Sequence, residues 1–171
     1  MDAQGKAVLA LGTDVVPQGQ EVRVARVTDA APAPQMVIRH EGHSPAAILV
    51  ANRGSIVRRI TLNSTPNETG MEPVYWRGPD AAALLCNGGW LFDLSAEAVM
   101  QPPGLPVTRG DRRQGWHHCI PADVCGDDRE EIVLYNPWSD AVYIYTPVPL
   151  DEKAFGGYRP GPRQYNPRLM D

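Results

Sequence analysis

The sequence predicts an all-β chain of short antiparallel strands, and three observations carry that expectation. Apolar and polar residues alternate with a period of two almost throughout, as half-buried strands require. Glycine and proline fill 33 of the 171 positions, nearly a fifth against about 12% in average proteins and more than about 25% in low-complexity chains. The chain is therefore ordered and rich in turns. Third, one hairpin pattern recurs along it at a nearly constant spacing.

The expected strands follow in order as Ala7–Gly12, Glu21–Val27, Gln35–His40, Ala46–Asn52 and Ser55–Leu62, then Pro73–Arg77, Ala82–Asn87 and Trp90–Leu94, and finally Glu131–Asn136 and Ala141–Thr146. Most are rich in Val, Ile, Leu and aromatics and are bounded by Gly, Pro, Asn or Asp. One short helix is expected at Asp93–Met100 (DLSAEAVM), with Asp93 or Ser95 as its N-cap.

The hairpins repeat. Met36–Val50 (MVIRHEGHSPAAILV) aligns without gaps on Ile132–Thr146 (IVLYNPWSDAVYIYT) at an offset of 96. Ala83–Phe92 (ALLCNGGWLF) lies between them as the same hairpin with a tighter Asn-Gly-Gly turn. His40, Asn87 and Asn136 take the equivalent end-of-strand position, spaced by 47 and 49 residues. A hairpin every 48 or so residues matches the blade period of roughly 40–50 in propellers. The expected architecture is a partial β-propeller of about three to four blades. Its repeat units are residues 21–62, 73–100 and 116–149, with an extended tail over 150–171 carrying Arg159, Arg163 and Arg168. A β-sandwich, where turn signals also recur, is the competing architecture. At one blade per 48 residues the chain is short for a closed propeller, so missing blades or self-association are expected.

Composition narrows the function. Hydrophobic residues at 43% and charged residues at 21% fit a globular chain rather than a disordered one. A net charge of −4 gives no basic footprint for nucleic acid. No apolar run approaches the 18 or so residues of a membrane span, and Asp2 and Lys6 stand where a signal peptide would place its apolar stretch. Three cysteines, Cys86, Cys119 and Cys125, cannot all pair within one chain.

The most specific string is Asp123–Glu131 (DVCGDDREE), which joins a strand to the third hairpin. Asp123, Asp127 and Glu131 fall at positions 1, 5 and 9 of a loop that Gly126 allows to bend sharply. Hard Ca²⁺ takes six to eight oxygen ligands, so these three carboxylates are candidate ligands, with Cys125 and Arg129 able to add backbone carbonyls. A cysteine side chain at position 125 is itself a poor ligand for a hard ion. The alternative is a solvated acidic turn. The corresponding loops with Asp29 and Asp80 lack the other carboxylates.

His117, His118, Cys119 and Cys125 compose a weaker zinc candidate, because adjacent residues of a strand face opposite ways. His40 and His43 are candidates for lining a pocket or for simple exposure. Trp76, Trp90, Trp116 and Trp138 suit either sugar platforms or packing between blades, with packing expected for at least two. Cys86, inside an apolar strand, reads as a small buried hydrophobe. No nucleophile elbow, phosphate loop, dinucleotide fingerprint or HExxH string occurs.

From about Gln35 to Asp171 the chain resembles bacterial rhamnogalacturonan lyases with an eight-bladed, calcium-binding propeller, and FG-GAP repeat proteins. The resemblance lies chiefly in WHHCIPADVCGDDREEIVLYNPWSDAVYIYT. The family's D-x-D-G-D calcium loop maps onto Asp123, Cys125, Gly126 and Asp127, with Glu131 as the acidic residue of the next strand; Cys125 departs from it. The resemblance implies a secreted or periplasmic lyase that cleaves the pectin backbone, an acidic polysaccharide, by β-elimination. That chemistry needs a cation against the uronate carboxylate and a base for the proton α to it. His40, His43, His117 and His118 are the candidate bases. The alternative function is a non-catalytic, calcium-binding propeller module for carbohydrate or protein.

Overall fold

The computed structural model describes residues 4–7, 9–29, 33–40, 46–52, 55–62, 69–94, 98–106 and 117–149. His43, Trp116 and the tail over 150–171 lie outside them. Eleven strands are formed among these residues, and no helix. The first sheet holds β1 (Gly19–Ala25), β2 (Gln35–His40), β3 (Ala46–Asn52) and β4 (Ser55–Leu62). The second holds β5 (Glu72–Val74), β6 (Leu84–Asn87), β7 (Trp90–Asp93) and β8 (Ala98–Met100). The third holds β9 (His118–Ala122), β10 (Glu131–Tyr135) and β11 (Val142–Tyr145). Each sheet is a meander in which consecutive strands pair antiparallel.

The sheets bury their faces against one another. Ala25, Val27 and Val37 of the first sheet meet Met71, Ala83, Leu85, Phe92 and Leu94 of the second. On its opposite face the second sheet sends Val74, Leu84, Cys86 and Leu91 against Cys119, Ile132 and Leu134 of the third. Strand β6 is thus apolar on both sides, so its sequence runs LLC without alternation. The first strands adjoin, β1 beside β5 and β5 beside β9. Trp90 packs on the first of these cores and Trp76 on the second.

Two sequence expectations change. Asp93–Met100 is not a helix over its described residues, Ser95 lying outside them: Asp93 ends β7, and Ala98–Met100 returns as β8, with Leu91 opposite Met100 and Phe92 opposite Val99. One amphipathic turn of sequence is too short to nucleate a helix, whereas a paired neighbouring strand satisfies the same backbone groups. Ala7–Gly12 forms no strand over its described residues. Instead Leu9, Leu11, Val15 and Val16 pack onto Met36, Ile38 and Ile56 on the outer face of the first sheet.

The β6–β7 turn pairs Asn87 with Trp90 around two glycines, Gly88 (φ 59°) and Gly89 (φ 86°), the type I′ geometry of tight hairpins. The Asn87 carboxamide donates to Gly70 O (2.6 Å), while Gly88 N–H donates to Thr69 Oγ1 (3.1 Å). A Cβ at Gly89 would come within 2.9 Å of Leu105 Cδ2. Gly89→Ala therefore combines left-handed strain with a clash in the second core. It should lower stability by about 2 kcal/mol in a urea titration, whereas an unchanged midpoint would mean the turn is not formed this way.

Candidate functional site

Strand β9 runs its length with alternate residues against the second sheet, then gives way to the acidic loop 123–130. The Asp123 carboxylate caps that loop. Oδ1 accepts the N–H groups of Gly126 (2.6 Å) and Asp127 (3.1 Å), and Oδ2 accepts that of Asp128 (3.2 Å). Positive φ at Gly126 (75°) and Asp128 (66°) wraps the backbone around it. Aspartate tolerates that conformation better than most residues. Asp127 is held by Arg129, whose Nε and Nη2 donate to Oδ2 at 3.1 and 2.5 Å. This pairing keeps the Asp127 carboxyl below its ordinary pKa.

Glu131 is fully buried at the start of β10. Its Oε2 accepts the N–H groups of Val124 (2.8 Å) and Cys125 (3.1 Å). Burial, reinforced by the charge of Glu131, raises the Cys125 thiol above its usual range. The first sheet contains the same device. Gln35 starts β2, is fully buried, and its Oε1 accepts the N–H groups of Val27 (2.8 Å) and Thr28 (3.3 Å). Gln35 stands opposite Ala25, and Glu131 opposite Ala122. The two clamps are related by the offset of 96 that aligns the hairpins. In the second sheet the corresponding residue, five before Asn87, is Ala82, which has no side-chain acceptor.

The first loop of the second sheet, turned by its own bonds from Gly78 N–H to Tyr75 O (2.9 Å) and from Ala81 N–H to Gly78 O (3.2 Å), is tied to its neighbours as well. Tyr75 N–H donates to Glu130 Oε2 (2.7 Å), and Glu130 N–H donates back to Tyr75 O (3.2 Å). Ala83 N–H donates to Arg26 O (2.6 Å). Half-burial raises the Glu130 carboxyl, and the Tyr75 bond opposes the rise. Between the adjoining first strands, Arg23 pairs with Glu21 and lies 3.7 Å from Glu72. Neither Glu130 nor this charge chain is visible in the sequence as a site, because the partners lie some fifty residues apart. The alternation of acid and base in Glu21-Val22-Arg23 is the one local trace.

As arranged, the three candidate calcium ligands serve the loop itself. Asp123 and Glu131 turn oxygens onto backbone N–H groups, and Asp127 faces a guanidinium. The other Glu131 oxygen, Oε1, is buried without a hydrogen-bond partner, so the donors of the loop engage only part of the carboxylate set. Among the described residues no group of three or more His, Cys, Asp or Glu side chains is set to hold a metal ion.

The candidate bases are placed elsewhere. His118 opens β9 and stacks on Tyr135 (5.3 Å between ring centroids), and buried His117 meets Tyr143 edge-on at 5.7 Å. Burial depresses both imidazoles, with the His118 charge adding to the effect at His117. Asp123 follows the far end of β9, roughly 16 Å away at about 3.3 Å per residue. His40 is buried at the end of β2, beside Gly19 rather than beside the β1–β2 loop. The structure therefore brings the carboxylates of the loop together and keeps the described histidines at the other end of the sheets. His117 and Cys119 face the second sheet while His118 faces away, so the zinc candidates are also separated.

Comparisons with known protein families, with curated proteins and with solved structures find no match for this chain. What defines it is its own architecture, an all-β stack of three antiparallel meanders.

Proposed function

We propose that the chain is a propeller-type binding module, with the loops that join first to second strands forming its ligand face. The single observation behind this is the stacking of three meanders face to face with their first strands adjoining, as blades do around a propeller axis. Support comes also from the clamp repeated by Gln35 and Glu131. Residues 26–29, 75–83 and 123–130 share one end of the stack, cross-tied at Tyr75–Glu130 and Arg26–Ala83, and carry Arg26, Arg77 and Arg129 beside the acidic residues. The acidic polysaccharide of the resembled lyases is the proposed ligand. The separation of His40, His117 and His118 from the loop favours binding over β-elimination.

Titration calorimetry with rhamnogalacturonan, followed by ultraviolet detection of unsaturated uronate, tests both parts. Binding without product is expected, and Arg129→Ala should weaken it several-fold. Product formation would replace this reading with the lyase, and no heat of binding would remove the polysaccharide.

A further inference from the structure

The two ends of the stack are unequal to its middle. In the third sheet Ile120, Val133 and Ile144 stand in one cross-strand row, and Val142 lies opposite Tyr135 in the next row on that face. Ile120 is 42% exposed, Ile144 56% and Val142 61%. By the offset of 96, Val133 corresponds to Val37 of the first sheet, and by the spacing of 47 that residue corresponds to Leu84 of the second. Both Val37 and Leu84 are buried against the sheet that follows them. Among the described residues no sheet follows the third.

The opposite end has the converse deficit. Val22 and Val24 lie on the outer face of β1, opposite Ile38 and Met36, and are 53% and 66% exposed. Residues of β9 and of the segment after β5 on the corresponding face, Cys119 and Tyr75, pack against the sheet that precedes them. The segment Leu9–Val16 covers Met36, Ile38 and Ile56 but leaves Val22 and Val24 open. That opening is on the first strand, the strand that adjoins the neighbouring sheet in both stacks within the chain.

We propose that these faces are the two halves of one interface, and that a second copy of the chain stacks onto it head to tail, the β9 face of each copy on the β1 face of the other. The second copy is the occupant because the free faces are of opposite kind, each matching one side of the interfaces already formed within the chain. An unlike pair of faces makes a heterologous contact, which closes when the rotation permits. The three sheets of the described residues fall below the four of the smallest propellers, and two copies supply six, within the usual range. The ring rests on the propeller reading of the stack; it does not depend on any ligand.

Sedimentation of the full chain tests it. The expected species has twice the chain mass of 18.7 kDa. Val24→Glu and Ile120→Glu should each give monomers, with Ile144→Glu as a second disruption of the same face, all keeping the wild-type circular dichroism. An equimolar mixture of Val24→Glu and Ile120→Glu chains should associate again, because one of the two interfaces then joins unaltered faces. A wild-type monomer would overturn the proposal. So would dissociation by Ile120→Glu but not by Val24→Glu, which signifies two third sheets packed symmetrically, or assembly beyond two copies. Polysaccharide binding measured on the same samples separates failure of the ring from failure of the binding module.

Discussion

Replacing Leu84 or Leu85 with alanine should cost about 3 kcal/mol each, enough to remove much of a stability that for such domains is about 5–15 kcal/mol. The two side chains are neighbours in β6 and both are buried, yet they belong to different cores. Leu85 fills the contact with the first sheet and Leu84 the contact with the third. Each truncation removes apolar area and leaves a cavity that flanking sheets cannot collapse into without moving as bodies. Val99→Ala, at an exposed position of the edge strand β8, is the control and should stay within about 0.5 kcal/mol. Urea unfolding followed by tryptophan fluorescence measures all three. A Leu84→Ala cost as small as that of the control would mean that the third sheet is not packed on the second.

Glu131 offers the second large effect, and the direction depends on which substitute replaces it. Glu131→Ala takes the side-chain acceptor from the half-buried N–H groups of Val124 and Cys125, of which Val124 keeps Ala122 O at 3.0 Å, and should cost about 2 kcal/mol. Glu131→Gln should cost less than about 1 kcal/mol, because Gln35 holds Val27 and Thr28 with a neutral carboxamide in the same position of the first sheet. Thermal melts of the three proteins, with and without added Ca²⁺, separate a backbone clamp from a cation ligand. A calcium-dependent rise in Tm that Glu131→Gln abolishes is the result that would make Glu131 a metal ligand and revive the calcium proposal.

The strands were legible because their signal is local. Alternation marked β1 to β4, and the Asn-Gly-Gly sequence marked the β6–β7 turn. Residues 95–97 aside, the sequence around Val99 misled because Ala, Glu and Met favour helices in isolation, while Leu91 and Phe92 supplied a partner strand. Strand β9 was harder to bound, since Pro121 interrupts the pattern. For the site, Asp123, Asp127 and Glu131 are near neighbours in sequence, and they bracket the loop that leads into β10. Their partners were not legible, because an oxygen that could bind a cation is equally suited to a backbone N–H, and only the fold decides which comes near. The Glu130–Tyr75 pair spans 55 residues, beyond the reach of any spacing rule.

The missing clamp at Ala82 has a consequence for how the molecule comes apart. The outer sheets clamp their first loops with a buried side chain of their own, whereas the middle loop adds to its internal Gly78–Tyr75 and Ala81–Gly78 bonds restraints from Arg26 on one side and Glu130 on the other. In a chain of repeats, stability divides into what each unit holds alone and what it gains from its neighbours. Here the central unit draws on both neighbours, so it behaves as a keystone. Loosening either flank withdraws its support, and the three sheets are coupled into a single cooperative unit rather than a string that frays from its ends.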